Sequence, residues 1–351
     1  MRNRIRNRIH KNHAAALFAA VLTLTGVAYA AVPGSQIIEM STVTVGDAGN
    51  AADGTGYGAV SYEYQIGTYE VTNAQYAAFL NAVDSGGANT LSLYNSNMGS
   101  DAYGGGITLN SGGADGSKYM VRAGYDLKPV NFVSFYDAMR FTNWLTTGGT
   151  ETGVYNLLGG GETPTNGTSV TRTLDAIPGT LWALPSEDEW YKAAYYDGND
   201  AGTYRQYPMT GTLVAGTKDN GGTANYNDGD GYAFPDSYLT EVNHYDLVDG
   251  ANSFYGTYQQ GGNVWEWNDA FMYSTNRVLR GGAFYDDAGD LTSPWRASNA
   301  PVTENSGYGF RVVALTSLAA VPEPGTYAAA TGLLMLIIGM WIRRGHRTGR
   351  G

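Results

Sequence analysis

Glycine stands at 49 of the 351 positions, about twice its usual share in a globular domain. It loses more conformational freedom on folding than any other residue and weakens helix and strand interiors alike. A chain this rich in glycine is a poor candidate for a helical bundle or a stack of long strands. The 27 tyrosines scattered among the glycines provide large rings with which irregular loops can still bury apolar surface. Together these features predict an α+β fold with little regular secondary structure. Ser85 to Ser117 and Thr146 to Thr173, dense in Gly, Asn, Thr and Ser, read as long loops, and loops of that length are usually functional or poorly ordered.

Three helices are announced by one device. Thr72-Asn73-Ala74-Gln75 is a capping box followed by Tyr76, Phe79, Leu80 and Val83 at helical spacing. Ser134 with Asp137 is a second, the shorter Asp replacing Glu or Gln, with Phe135, Ala138, Met139 and Leu145 on the apolar face. Ser186 with Glu189 is a third, turning Trp190, Ala193 and Ala194 inward. In each, the hydroxyl accepts from an orphan N–H of the first turn and the side chain three residues on returns the bond. Tyr62 to Tyr69 and Phe310 to Leu315 are strand candidates. No internal repeat is present.

The ends differ from the middle. Arg2, Arg4, Arg6, Arg8 and Lys11 precede an uncharged stretch from Ala14 to Val27, and Ala28-Tyr29-Ala30 gives the small-x-small pattern read by signal peptidase. The apolar run is short for a membrane span, so residues 1–30 read as a removable leader and the chain as exported through the inner membrane. At the other end Val321-Pro322-Glu323-Pro324 leads into an uncharged run from Gly325 to Ile342, then Arg343, Arg344, Arg347 and Arg350. A helix over 326–342 reaches about 25 Å at ~1.5 Å per residue, slightly short for a span, with the arginines on the cytoplasmic side. The order Pro-Glu-Pro, apolar helix, basic end resembles the PEP-CTERM sorting signal. That resemblance implies exosortase as the partner for a tail over 319–351, with transient anchoring followed by display at the cell surface or in the extracellular matrix.

Between the ends lies one domain, 31–318. Nine of the 21 basic residues and one of the 32 acidic residues belong to the ends, leaving 12 against 31 and a formal charge of about −19. That argues against nucleic acid and anionic lipid as partners and suits divalent cations. The chain has no cysteine, so export brings no disulfide.

Five segments in order resemble the formylglycine-generating enzyme, or sulfatase-modifying factor, family. They are Tyr69-Glu70-Val71-Thr72-Asn73-Ala74-Gln75-Tyr76; Pro129-Val130-Asn131-Phe132-Val133-Ser134 with Asp137-Ala138; and Leu184-Pro185-Ser186-Glu187-Asp188-Glu189-Trp190. Gly262-Asn263-Val264-Trp265-Glu266-Trp267 follows, then Arg280-Gly281-Gly282-Ala283-Phe284, ending in Gly309-Phe310-Arg311. The resemblance implies a heavily elaborated C-type-lectin-like fold. It also implies a copper ion held by two thiolates shortly after the Arg-Gly-Gly segment, used to oxidise a substrate cysteine. Here Asp286 and Leu291 stand at the two thiol positions. Carboxylate and isobutyl do not hold Cu(I), which prefers soft sulfur, so neither copper nor formylglycine generation is expected.

The same resemblance implies structural calcium, with ligands at the Glu266 carboxylate, the Gly262 and Val264 carbonyls, and Gln259 where the family has Asn. A second site would draw on backbone oxygens at Asn225 and Tyr226. Oxygen donors on loops suit a hard cation; against this, Trp265 and Trp267 can be core residues and Glu266 can pair with Arg280 or Arg311. Other chemistry is thinly supported. His244 is the one histidine of the domain, which rules out a multi-histidine metal site, and no nucleophile-elbow motif accompanies it. Glu187, Asp188 and Glu189 sit where negative charge complements a helix dipole, and Asp286, Asp287 and Asp290 read as a solvated loop. Most tyrosines are expected in the core; Tyr94, Tyr103, Tyr232 and Tyr255, in polar loops, are candidates for stacking on a sugar or anchoring a protein. The expected function is a non-catalytic glycan- or protein-binding module. The alternatives are a thiol-independent enzyme of the same fold and a structural matrix protein cross-linked through cations.

Overall fold

The structure, a computed structural model, describes residues 27–30, 38–102, 104–174, 179–199 and 202–316. The leader up to residue 26, the tail with its expected membrane helix 326–342, and Tyr103 lie outside the described residues. Among the described residues no helix is long and apolar enough to cross a membrane.

Strands β1 (Val27–Ala30), β2 (Ile38–Val45) and β3 (Tyr64–Gly67) lead into helix α1 (Asn73–Val83). A one-turn helix α2 (Asn97–Ser100) and the pair β4 (Ile107–Leu109) and β5 (Tyr119–Val121) precede helix α3 (Phe135–Thr147). Next come β6 (Thr180–Ala183), α4 (Glu187–Tyr195) and the short pair β7 (Tyr196–Asp197) and β8 (Thr203–Tyr204). The last third holds β9 (Trp265–Met272), β10 (Asn276–Arg280), β11 (Ala297–Asn299), β12 (Tyr308–Gly309) and β13 (Val313–Thr316). One sheet runs β1-β2-β3-β13-β6 and a second β11-β10-β9-β12, with β4-β5 and β7-β8 as separate ribbons. This is an α+β fold in which most of the chain is irregular.

All three caps close as the residue spacing predicts, with hydroxyl and returning side chain both engaged. Helix α3 is the centre of the molecule: every residue from Phe135 to Leu145 is buried, and Gly148, in the left-handed conformation, ends it. Phe141 meets Phe79 at 5.4 Å and Phe310 at 5.4 Å, edge to face, an arrangement that adds to area burial. The strand candidates are real but shorter than read, and Ser85 to Ser117 contains α2 and β4 rather than loop alone. Met98 and Ile107, both buried, anchor those pieces where glycine-rich flanks hide them from a periodicity argument.

Candidate functional site

The turn before β9 is shaped by two left-handed residues. Gly262 has φ +87° and Asn263 φ +62°, and a Cβ on Gly262 would lie 2.3 Å from the Asn225 carbonyl oxygen. Only glycine permits that approach. It lets the Asn263 N–H donate to the Asn225 carbonyl at 2.8 Å and delivers Trp265, Glu266 and Trp267 into the interior, all buried.

Glu266 is the partner of Arg311. Arg311 Nε donates to Oε2 at 2.6 Å and Nη2 to Oε1 at 2.7 Å, while Trp190 Nε1 adds a bond to Oε2 at 2.6 Å. The other guanidinium bonds hold the carbonyls of Gly67 at 2.9 Å and Tyr258 at 2.9 Å. Arg280 pairs instead with Glu187, 2.7 Å away, which also takes Arg296. The expectation of Glu266 as a calcium ligand therefore gives way to the ion-pair alternative: both its oxygens are spent on a guanidinium, whose charge opposes a cation at the same place. Glu187 and Glu189, read as dipole complements, are likewise ion-pair anchors, Glu189 meeting Arg172 at 2.7 Å.

Beside this pair lies a concentration of acceptors. Asn263 Nδ2 donates to Glu70 Oε1 at 3.0 Å, and Asn263 Oδ1 accepts from Asn225 Nδ2 and the Thr240 N–H, each at 3.1 Å. Glu70 Oε2, Asn225 Oδ1 and Gln259 Oε1 are buried without a hydrogen-bond partner. Burial, with Glu266 close by, pushes the Glu70 carboxyl up to about 8. Orphaned buried oxygens are donors that a hard cation accepts; Gln259, held at φ +53°, keeps one, whereas both oxygens of Glu266 are spent on Arg311. Among the described residues no group of three or more His, Cys, Asp or Glu is placed to hold a metal. The Asn225 carbonyl, offered for the second site, is occupied by Asn263, and Tyr226 packs with Met209, Ala224 and Leu291.

That cluster covers one of the two thiol positions. Leu291 is fully buried in it, so the position expected to match a thiol is filled by an apolar plug. Asp286, at the other position, is not the solvated residue expected: its Oδ2 accepts the Ala283 N–H at 2.9 Å and its carbonyl the Asn227 N–H at 2.9 Å. Burial pushes its carboxyl up to about 6.

The tyrosine candidates separate. Tyr94 donates to the Ile107 carbonyl and its ring lies 5.4 Å from Tyr119. Tyr255 donates to Asp47 Oδ2 at 2.8 Å and stacks on Tyr196. Both rings pack against the core. Tyr232, 40% exposed, stands edge-on to Tyr238 and Phe284 at 4.8 and 5.7 Å and faces outward. Sequence reading missed Trp295, 50% exposed, and Tyr273, 78% exposed at the β9–β10 turn; no local pattern separates them from core rings. It also missed Glu304, far along the chain from the capping Asp137 whose charge it feels. Burial raises Asp137 to about 6 and Glu304 to about 7, with the Asp137 charge adding to the rise of Glu304. His244 sits edge-on to Phe234 and Tyr245, at 5.1 and 4.8 Å.

The profile of the FGE-sulfatase family, a sulfatase-modifying factor enzyme 1-like domain, matches residues 31–315. Among solved structures the chain is similar to CarF, at 20% identity and a TM-score of 0.47 over 78% of this chain and 97% of that one. It is similar to Treponema denticola variable protein 1 at 19% identity and a TM-score of 0.44, over 80% and 96% of the two chains. The likeness to PvdO from Pseudomonas aeruginosa is 17% identity and a TM-score of 0.45, over 79% and 94%. No curated protein sequence matches. With the profile running across the whole described domain, the chain belongs to the sulfatase-modifying factor enzyme 1-like family.

Proposed function

We propose that this member of the family is an exported, non-catalytic module that binds a glycan or protein at the cell surface or in the surrounding matrix. The basic-apolar leader and the Pro-Glu-Pro tail support export and handling by exosortase. The observation that carries the loss of oxidation is Leu291, buried in an apolar cluster where the family keeps a thiol. A chain with no cysteine has no thiolate pair with which to hold copper as the family does. Binding falls to the outward aromatics, Tyr232 first, on a scaffold that calcium would pin through Gln259 and the Gly262 and Val264 carbonyls.

Two measurements test this. Incubation with copper, oxygen and a cysteine-bearing sulfatase peptide should yield no aldehyde; an aldehyde product would overturn the reading. A glycan and peptide screen should return a saturable ligand whose affinity falls about tenfold or more in Tyr232→Ala, the ~1.4 kcal/mol of one good ring contact. Absence of any saturable ligand would instead favour a structural matrix role.

A further inference from the structure

In an antiparallel ladder alternate residues aim their backbone groups at opposite neighbours. Along β2 the odd residues serve β3 and α1. The Ser41 carbonyl takes the Thr68 N–H at 2.9 Å, Val43 stands opposite Ile66, and the Glu39 carbonyl takes Gln75 Nε2 at 2.8 Å. Ile38, Met40, Thr42 and Thr44 therefore aim their backbone groups at the outer edge. There β1 covers the first two, with Ala30 opposite Ile38 and Ala28 opposite Met40.

Residues 27–30 are also the end of the leader. If signal peptidase cuts after Ala30, the covering strand departs with it and all eight residues of β2 become an open edge. Natural edges are blunted by proline, lysine, bulges or brevity. β2 has no proline and no basic residue, Glu39 is its one charge, and its pairing with β3 runs from Thr42 to Val45 without a register shift. We infer that the outer edge of β2 is a strand-docking site, covered by the chain's own residues 27–30 while the leader is attached and by β2 of a second copy once it is removed.

A second copy fits because the pairing is self-complementary. With a two-fold axis at Thr42, the even residues of each strand meet those of the other, closing the contact isologously. Glu39 then lies opposite Val45 of the other copy and not opposite a like charge, which would be destabilising. The pairing adds strands across two molecules as peptide-binding sheets do within one. Display of many copies on one surface raises the local concentration for a contact of this small size.

This inference rests on the leader ending at Ala30, so its test keeps the two apart. Among the described residues the buried core cluster runs from Ile38 to Leu315, and fragments spanning 31–317 and 27–317 should both fold. Sedimentation across a concentration series should give a dimer for the first and a monomer for the second. Thr44→Pro in the shorter fragment should restore the monomer with little change in unfolding midpoint, because its side chain is exposed and its N–H faces the edge; Thr44→Lys is the companion should proline perturb folding. A shorter fragment monomeric throughout, or a dimer that survives both variants, overturns the proposal. The N-terminal mass of the exported protein reads the leader separately, and retention of Val27–Ala30 would overturn the unmasking step even where the fragment dimerises.

Discussion

Glu70 and Glu266 present two carboxyl groups to one buried guanidinium, that of Arg311. Coulomb attraction in a low-dielectric interior compensates one of them; leaving a second charge there is costly. Glu266 has the bidentate contact, and Glu70, buried and bonded to Asn263, is raised to about 8. A carboxyl raised above its unfolded value contributes stability that is fully present below about pH 4.5 and lost as pH rises through the folded value. Glu70→Gln, neutral at every pH, should therefore unfold within about 1 kcal/mol of the native protein at about pH 4.5. It should become the more stable of the two above pH 8, and urea midpoints across that range would show a flattened slope. Arg311→Met strips the charge that both carboxyls face and should cost about 3–5 kcal/mol by the same denaturation assay. The motif Gly-Phe-Arg and the motif Trp-Glu-Trp were each legible in the sequence, but their pairing across 45 residues was not. Spacing along a chain carries no information on which of Arg280 and Arg311 closes on Glu266.

At the scale of elements, the caps are where local chemistry and tertiary structure agree most closely. Ser134 and Asp137 exchange bonds of 2.8, 2.7 and 3.1 Å at the start of the most buried helix. Ser134→Ala should cost about 1–2 kcal/mol. Because the lost hydroxyl favoured the charged form of Asp137, already raised to about 6, the deficit should be larger at pH 8 than at pH 5; thermal midpoints at the two values check the sign. Gly262→Ala meets the Asn225 carbonyl and the left-handed backbone together, and should cost about 2 kcal/mol or more in urea denaturation. The helices were legible because a cap and a 3.6-residue period are local signals. The strands β9 to β12 were not, since their residues are buried on both faces or lie in pieces of two or three, leaving no alternation to read.

For the whole molecule the decisive quantity is where the few cations are. Arg140, Arg277, Arg280 and Arg311 have fully buried side chains in ion pairs, so the surface keeps still fewer than the 12 basic residues against 31 acidic ones that the sequence leaves the domain. An acidic shell of this kind repels itself, and salt screens that repulsion over about 10 Å at 0.1 M. The unfolding midpoint should rise between ~20 and ~300 mM sodium chloride, while the buried pairs, out of reach of screening, limit any loss. Calcium at matched ionic strength separates a site from a screening effect. Binding to the folded state alone adds about 2.7 kcal/mol at a hundredfold excess over the dissociation constant, and Gln259→Leu should remove that increment while leaving the sodium response intact. A calcium response equal to that of sodium would leave the orphaned oxygens around Asn263 to buried water. Dimerisation of the mature domain would then proceed against a purely screened repulsion, and should weaken as the ionic strength is lowered.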